Sequence, residues 1–212
     1  MELFDLTLPL HPGLAVHPGD PAVSFIPARS HQTDGYQVTQ LCLGSHSGTH
    51  LDAPRHFFPD GATLDQYPLD RLVGPALVLD CRPSSAPTGE TAAGEIAAGE
   101  TAAGDDVLLA NRLRSASVPP GGFLLLWTDG ALLTAEAGQA LLESGAGLVG
   151  TDAPSIDDEP YPVHRLLLGN GVLLAESLRG LDRLGPGLVT CAFLPLAVVG
   201  TDGAPVRVIA WR

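Results

Sequence analysis

Short apolar runs, punctuated by glycine and proline, divide the chain into many brief elements. Residues 2–8 alternate roughly in polarity and predict a first strand. Pro9, Pro12, Gly13, Pro18 and Gly19 then interrupt regular structure, and His17-Pro18-Gly19-Asp20 fits a type II turn with glycine at positive φ. Residues 36–43, rich in Tyr, Val, Thr and Leu, predict a strand that runs into a polar stretch. Gly48 and Pro54 argue that this stretch is a strand end turning into a loop, not a helix. Residues 76–81 predict a short buried strand, and residues 105–115 a helix with Asp105 or Asp106 near its start. Residues 123–128 predict a strongly buried strand. Residues 134–144 predict a helix capped by Thr134 and closed by Gly145 and Gly147. Residues 148–152 predict the next buried strand, so a β-α-β unit is expected here. Residues 172–175, 188–193 and 206–211 complete the strands. Strands interleaved with a few helices predict an α/β fold, and the length predicts one domain over residues 1–212.

Composition changes the picture little. With 45% hydrophobic and 17% charged residues, the chain has material for a core. A net charge of -13, with only eleven Lys plus Arg, argues against a nucleic-acid partner. Cys42, Cys81 and Cys191 are isolated and form no C-x-x-C pair, which predicts reduced thiols and a cytoplasmic protein. Residues 1–5 show no signal-peptide pattern and no stretch is apolar enough to span a bilayer, so no membrane role is expected. A five-residue repeat over 89–104 is too short for a solenoid and predicts a surface insertion.

The candidate chemistry lies between His46 and His56. Three of the seven histidines and one aspartate fall there in the pattern H-x-G-T-H-x-D-x-P-x-H. His46, His50 and Asp52 make an N/N/O ligand set that suits zinc and could take manganese. His56 lies just beyond and could move protons; on chemistry alone a metal-free acid/base cluster is the alternative. His164 and Glu176 form a second patch, where residues 172–175 could deliver Glu176 to a buried site. On spacing alone this pair reads as a surface histidine and a solvated glutamate.

The His46–His56 stretch resembles the signature of the metal-dependent cyclase family, which includes bacterial kynurenine formamidases (arylformamidases) and isatin hydrolases; His46, Gly48, Thr49, His50, Asp52, Pro54 and His56 match it without a gap. Pro18-Gly19-Asp20 is similar to the family's W-P-G-D turn, Thr151 through Asp157 to its D-x-P-S-x-D segment, and His164 through Glu176 to its H-x-x-L-L-x-x-G-I…E segment. Leu194-Pro195-Leu196 and Gly203 through Arg207 are similar to its C-terminal L-P-L and G-S-P-V-R elements. The resemblance implies a swivelling β/β/α fold with a mixed central sheet, in a homodimer or homotetramer. It implies one or two divalent ions, zinc first and manganese as the alternative. His46, His50 and Asp52 would hold one ion, and Asp52 would bridge to another held by His164 and Glu176. His56 would transfer protons, His17 and Asp20 would meet a small-molecule substrate, and Thr49 and Asp152 would orient the ligands. The implied activity is cleavage of an amide, formamide or lactam C–N bond through a metal-activated water. A cyclase closing a ring in polyketide or peptide natural-product biosynthesis is the alternative. A non-catalytic metal-binding protein is a third, and the presence of His56 argues against it. The chain departs from the family pattern at two walls of the pocket: His17 replaces an aromatic residue, and the loop after Trp127-Thr128 is short. A more open pocket, or one closed by a partner subunit, is expected.

Overall fold

The computed structural model describes residues 1–82 and 103–212. Its elements in chain order are β1 (Leu3–Asp5), β2 (Ser24–Arg29), α1 (His31–Asp34), β3 (Val38–Cys42), β4 (His50–Asp52), β5 (Val73–Asp80), α2 (Ala103–Arg114), β6 (Phe123–Trp127), α3 (Ala135–Glu143), β7 (Leu148–Thr151), α4 (Pro162–Gly169), β8 (Leu173–Glu176), α5 (Leu181–Leu184), β9 (Gly187–Pro195) and β10 (Gly203–Trp211). The fold is mixed α/β, as expected. Residues 89–102 of the repeat lie outside the described residues.

Strands β10-β4-β8-β7-β6-β5-β9 pair in that order, and β9 pairs back to β10, so seven strands close into a barrel-like sheet. The β5-β6-β7-β8 run is parallel and the other pairings are antiparallel. β1 extends the β10 edge beyond β4. Strands covered on both faces read as unbroken apolar runs, and β6 shows why. Phe123 and Leu125 join one apolar cluster with Leu51, Val78, Phe193 and Val208 from other strands of the ring. Leu124 and Leu126 point the opposite way, into a second cluster with Leu113 of α2, Leu141 of α3 and Leu167 of α4. Phe123 and Phe193 meet edge to face at 5.5 Å.

Helix α3 follows its sequence signals: the Thr134 hydroxyl accepts the Ala137 N–H, and Gly145 leaves the helix at φ 75. Gly138 brings α3 close to α4, since a Cβ there would sit 3.0 Å from Val163. The β-α-β unit at β6-α3-β7 is parallel, as predicted.

Two local expectations are corrected, and one helix is added. The strand at β3 does not end in the polar motif as part of the central sheet; it pairs only with β2, in a separate hairpin. The motif instead turns through residues 44–49 and enters a new strand, β4. Helix α4 is not legible as a helix in the sequence, because Pro160, Pro162 and Gly169-Asn170-Gly171 crowd a short apolar run. Pro162 starts it at the first helical position, where no N–H is needed.

Candidate active site

Strand alternation builds the centre. His50 and Asp52 are two apart on β4 and share a face, while Leu51 between them is fully buried in the core. The β4–β8 register places His50 directly opposite Glu176. Nε2 of His50 lies 3.4 Å from both Asp52 Oδ1 and Glu176 Oε2. Gly48 adopts φ 65, and its carbonyl accepts the Nδ1–H of His50 at 2.8 Å, which leaves Nε2 facing the carboxylates. The glycine of the motif is therefore a backbone requirement, and a Cβ there would also meet Leu10 at 2.8 Å.

His164 reaches the same point from α4. Its Nδ1–H donates to Asp157 Oδ1, and its Nε2 lies 3.1 Å from Glu176 Oε1 and 3.6 Å from Asp52 Oδ2. His46, on the turn before β4, donates through Nδ1 to Asp52 Oδ1 at 2.7 Å and through Nε2 to Asp202 Oδ2 at 2.8 Å. Gly203 makes room for it: a Cβ there would fall 2.9 Å from the His46 ring and 2.6 Å from the Leu51 carbonyl. His56 ends a single 3-10 turn, Pro54–His56, whose backbone packs on Gly61. The His56 ring lies 4.0 Å from that of His46, and its Nδ1 is 3.4 Å from Asp202 Oδ2.

Asp52, His50, His164 and Glu176 are all buried. Burial alone would drive these groups neutral, yet the charges hold one another. Desolvation opposes the charged form of His46, but the Asp202 and Asp52 carboxylates outweigh it and raise its pKa to about 10. The same contest at His164, against Asp157, Asp52 and Glu176, raises its pKa to about 12. Desolvation raises the Asp52 carboxyl, but His50, His164 and His46 hold it well below the usual carboxylate range.

One atom is left over. Asp52 Oδ2 is buried without a hydrogen-bond partner. Such an orphan in a charged cluster calls for a ligand. The donor chemistry agrees: His50, Asp52 and Glu176 place ligand atoms within 4.8 Å of one another, and so do His46, Asp52 and His56. The two sets share Asp52, whose Oδ1 faces His46 and His50 and whose Oδ2 faces His164. The cluster floors a cavity of about 450 Å³, which His17, Asp20, Phe57 and Tyr161 also line. Imidazoles and carboxylates of this kind fit a divalent ion.

The "Putative cyclase" family model matches residues 4–158. The chain belongs to the cyclase family. A kynurenine formamidase of Salinibacter ruber is 34% identical over 99% of this chain and 97% of its own. The solved structure of an isatin hydrolase bound to the product analogue thioisatinate is 25% identical, covers 100% of this chain and 92% of its own, and has a TM-score of 0.77. A potential metal-dependent hydrolase with cyclase activity is 26% identical, with 99% and 96% coverage and a TM-score of 0.73.

In this cyclase-family chain the structure gathers His46, His50, Asp52, His56, His164 and Glu176 into one cluster, and sets His17 and Asp20 on the cavity wall. Two further carboxylates do not stand out in the sequence. Asp157 grips His164 and also caps α4 through the backbone N–H groups of Val163 and His164. Asp202 joins His46 and His56. Asp157 closes the matched Thr151–Asp157 segment, so a signal exists for it; Asp202 has none. The orienting groups expected at Thr49 and Asp152 bond elsewhere. Thr49 Oγ1 donates to the Ser177 carbonyl and accepts the Leu8 N–H, and Asp152 accepts from Thr128 and Asp129. Backbone geometry explains both, since Thr49 and Asp152 brace chain segments instead of facing the imidazoles.

Asp157→Asn tests the grip on His164. The amide cannot accept from the imidazole and the two backbone donors as the carboxylate does. A loss of metal affinity of about 10- to 100-fold is expected, read by competition with a chromophoric chelator; unchanged affinity would remove Asp157 from this role.

Proposed function

We propose that this chain is a metal-dependent hydrolase that cleaves the C–N bond of a small amide, formamide or lactam. The observation that carries this reading is the unpartnered buried oxygen of Asp52 at the floor of the cavity, among three imidazoles and a second carboxylate. Kynurenine formamidase and isatin hydrolase relatives support the bond type. His46, His50, Asp52, His164 and Glu176 would hold one or two divalent ions, with zinc the proposed metal and manganese the alternative. A bound divalent ion lowers the pKa of water and polarises a carbonyl oxygen.

The chain's own groups do the rest. Asp157, Ile156 N–H and the Gly48 carbonyl fix His164, Glu176 and His50 in place. Burial lowers the His56 pKa, so its ring is neutral at pH 7. It can take a proton from the attacking water and return it to the leaving nitrogen. Phe57 and Tyr161 flank the cluster with apolar surface, and His17 and Asp20 line the approach.

The test uses protein loaded with zinc or with manganese, offered an N-formyl arylamine, an isatin-like lactam and linear ester or thioester precursors. Release of amine and acid, lost on chelation and regained with metal, is the expected result. Ring closure of a linear precursor without hydrolysis would overturn the reading in favour of the cyclase alternative.

We also propose a homodimer or homotetramer. The β2–β3 hairpin stands apart from the barrel and exposes Ile26, Tyr36, Val38 and Leu41. An isolated hairpin is marginal in water, and this one carries only Arg29 and Asp34, as an ion pair, in a chain of net charge -13. A second copy can cover it without charge repulsion. Light scattering is expected to give a multiple of 21.9 kDa, and Val38→Glu with Leu41→Glu should return the single-chain mass. A monomeric wild type would refute this.

Among the described residues no helix is long and apolar enough to cross a membrane. Cys42, Cys81 and Cys191 are free thiols, and burial pushes Cys81 and Cys191 up to about 12. Three free thiols, two of them buried, support the proposed cytoplasmic setting.

A further inference from the structure

His17, the departure from the family pattern, has a structural counterpart. Its Nε2 stands 3.4 Å from the hydroxyl of Tyr161, a residue 144 positions away. Tyr161 adopts φ 59 and ψ 51, a left-handed conformation that bulky residues rarely take, just before α4. Strain of this kind collects at ligand clamps. Two backbone bonds hold it: its N–H donates to the Asp158 carbonyl at 2.7 Å, and its own carbonyl accepts the Arg165 N–H at 3.1 Å. Its ring lies 5.4 Å from Phe57 and meets His164 edge-on at 5.8 Å. Phe57 in turn lies 4.7 Å from His56 and 5.1 Å from His164. Tyr161 and Phe57 thus form an aromatic wall beside the metal cluster. The hydroxyl and the exposed His17 imidazole mark its outer end.

We propose that Tyr161 is a specificity-determining residue of this site: its ring, with Phe57, receives a flat ring of the substrate, and its hydroxyl, with His17, donates to a neutral carbonyl oxygen on that ring remote from the scissile bond. At 3.4 Å the hydroxyl–imidazole contact is at the long limit of a hydrogen bond, so both groups keep capacity for an acceptor placed between them. The Asp20 carboxylate on the same lining disfavours an anionic acceptor. The tyrosine restores the aromatic surface that the histidine at position 17 removes. This inference rests on the amide-hydrolase reading.

The test compares metal-loaded wild type with Tyr161→Phe and Tyr161→Leu on formanilide, para-acetylformanilide and N-formylcyclohexylamine. Ratios between substrates cancel their intrinsic reactivities when variants are compared. For Tyr161→Phe, the kcat/KM ratio of the acetyl compound to formanilide is expected to fall about tenfold, through KM, as one hydrogen bond is lost. Tyr161→Leu should also lower the ratio of formanilide to the saturated compound by about threefold or more. Ratios equal to wild type in both variants would overturn the proposal. Calorimetric binding of para-acetylaniline to the same proteins gives an arm that needs no turnover: weakening in Tyr161→Phe is expected, and equal dissociation constants would overturn it. A wild type that hydrolyses none of the three compounds would count against the hydrolase reading, while the calorimetric arm still decides the role of Tyr161.

Discussion

Replacing Asp52 with asparagine is expected to strip the site of its metal and to lower kcat/KM by about 1,000-fold or more, the scale of breaking a buried charge pair. The carboxylate faces His46 and His50 with one oxygen and His164 with the other, so no other group can compensate all three imidazoles. Asparagine keeps the shape but turns an N–H₂ toward groups that also donate. Metal content by elemental analysis and turnover on an accepted formamide should fall together. A variant with full metal content would show that Asp52 is not a ligand.

Asp202 and the same Asp52 carboxylate together set a pH dependence in the metal-free protein. The His46 pKa is raised from 6.5 to about 10. A raised histidine contributes stability that is fully present below its unfolded pKa and is lost as pH rises through the folded one. Metal-free wild type should therefore lose stability between about pH 6.5 and pH 10, and the slope should flatten in Asp52→Asn. Metal uptake at neutral pH must expel protons from these imidazoles, so affinity should rise with pH.

The second large effect belongs to His56. His56→Ala is expected to lose about 100- to 10,000-fold in kcat, the usual range for a proton-transferring side chain, while metal content stays at the wild-type level. Both readouts are needed, because His56 also lies within reach of the His46–Asp52 donor set. Loss of metal in His56→Ala would make it a ligand; full activity would leave it without a role. Burial lowers its pKa, with the nearby Asp52 charge opposing. The neutral ring therefore persists below the ordinary histidine pKa of 6.5. Activity that needs a neutral His56 should hold as pH falls through 6.5, and the acid limb of kcat/KM should lie below that value.

Much of this centre is legible in the sequence because the motif is local. His46, His50, Asp52 and His56 fall within eleven consecutive positions, and Gly48 and Pro54 argue against a helix there. Several strands are equally legible, since β6 and β7 are buried on both faces and read as plain apolar runs. The hairpin strand β2 escapes sequence reading because Pro27 lies inside it and most of its side chains are exposed, so no burial pattern marks it.

The donors His46, His50 and Asp52 and the α/β class can be read from the chain alone, because they depend on residue type and local spacing, whereas His164 and Glu176 stand out only through the family resemblance. Which donors face each other is a property of the folded molecule. The β4–β8 register puts His50 opposite Glu176, and α4 swings His164 over Asp52. Folding alone brings Asp157 to His164, Asp202 to His46 and Tyr161 to His17. Strand register and helix packing are set by the whole core, and contacts made across 144 or 156 residues leave no trace in local spacing.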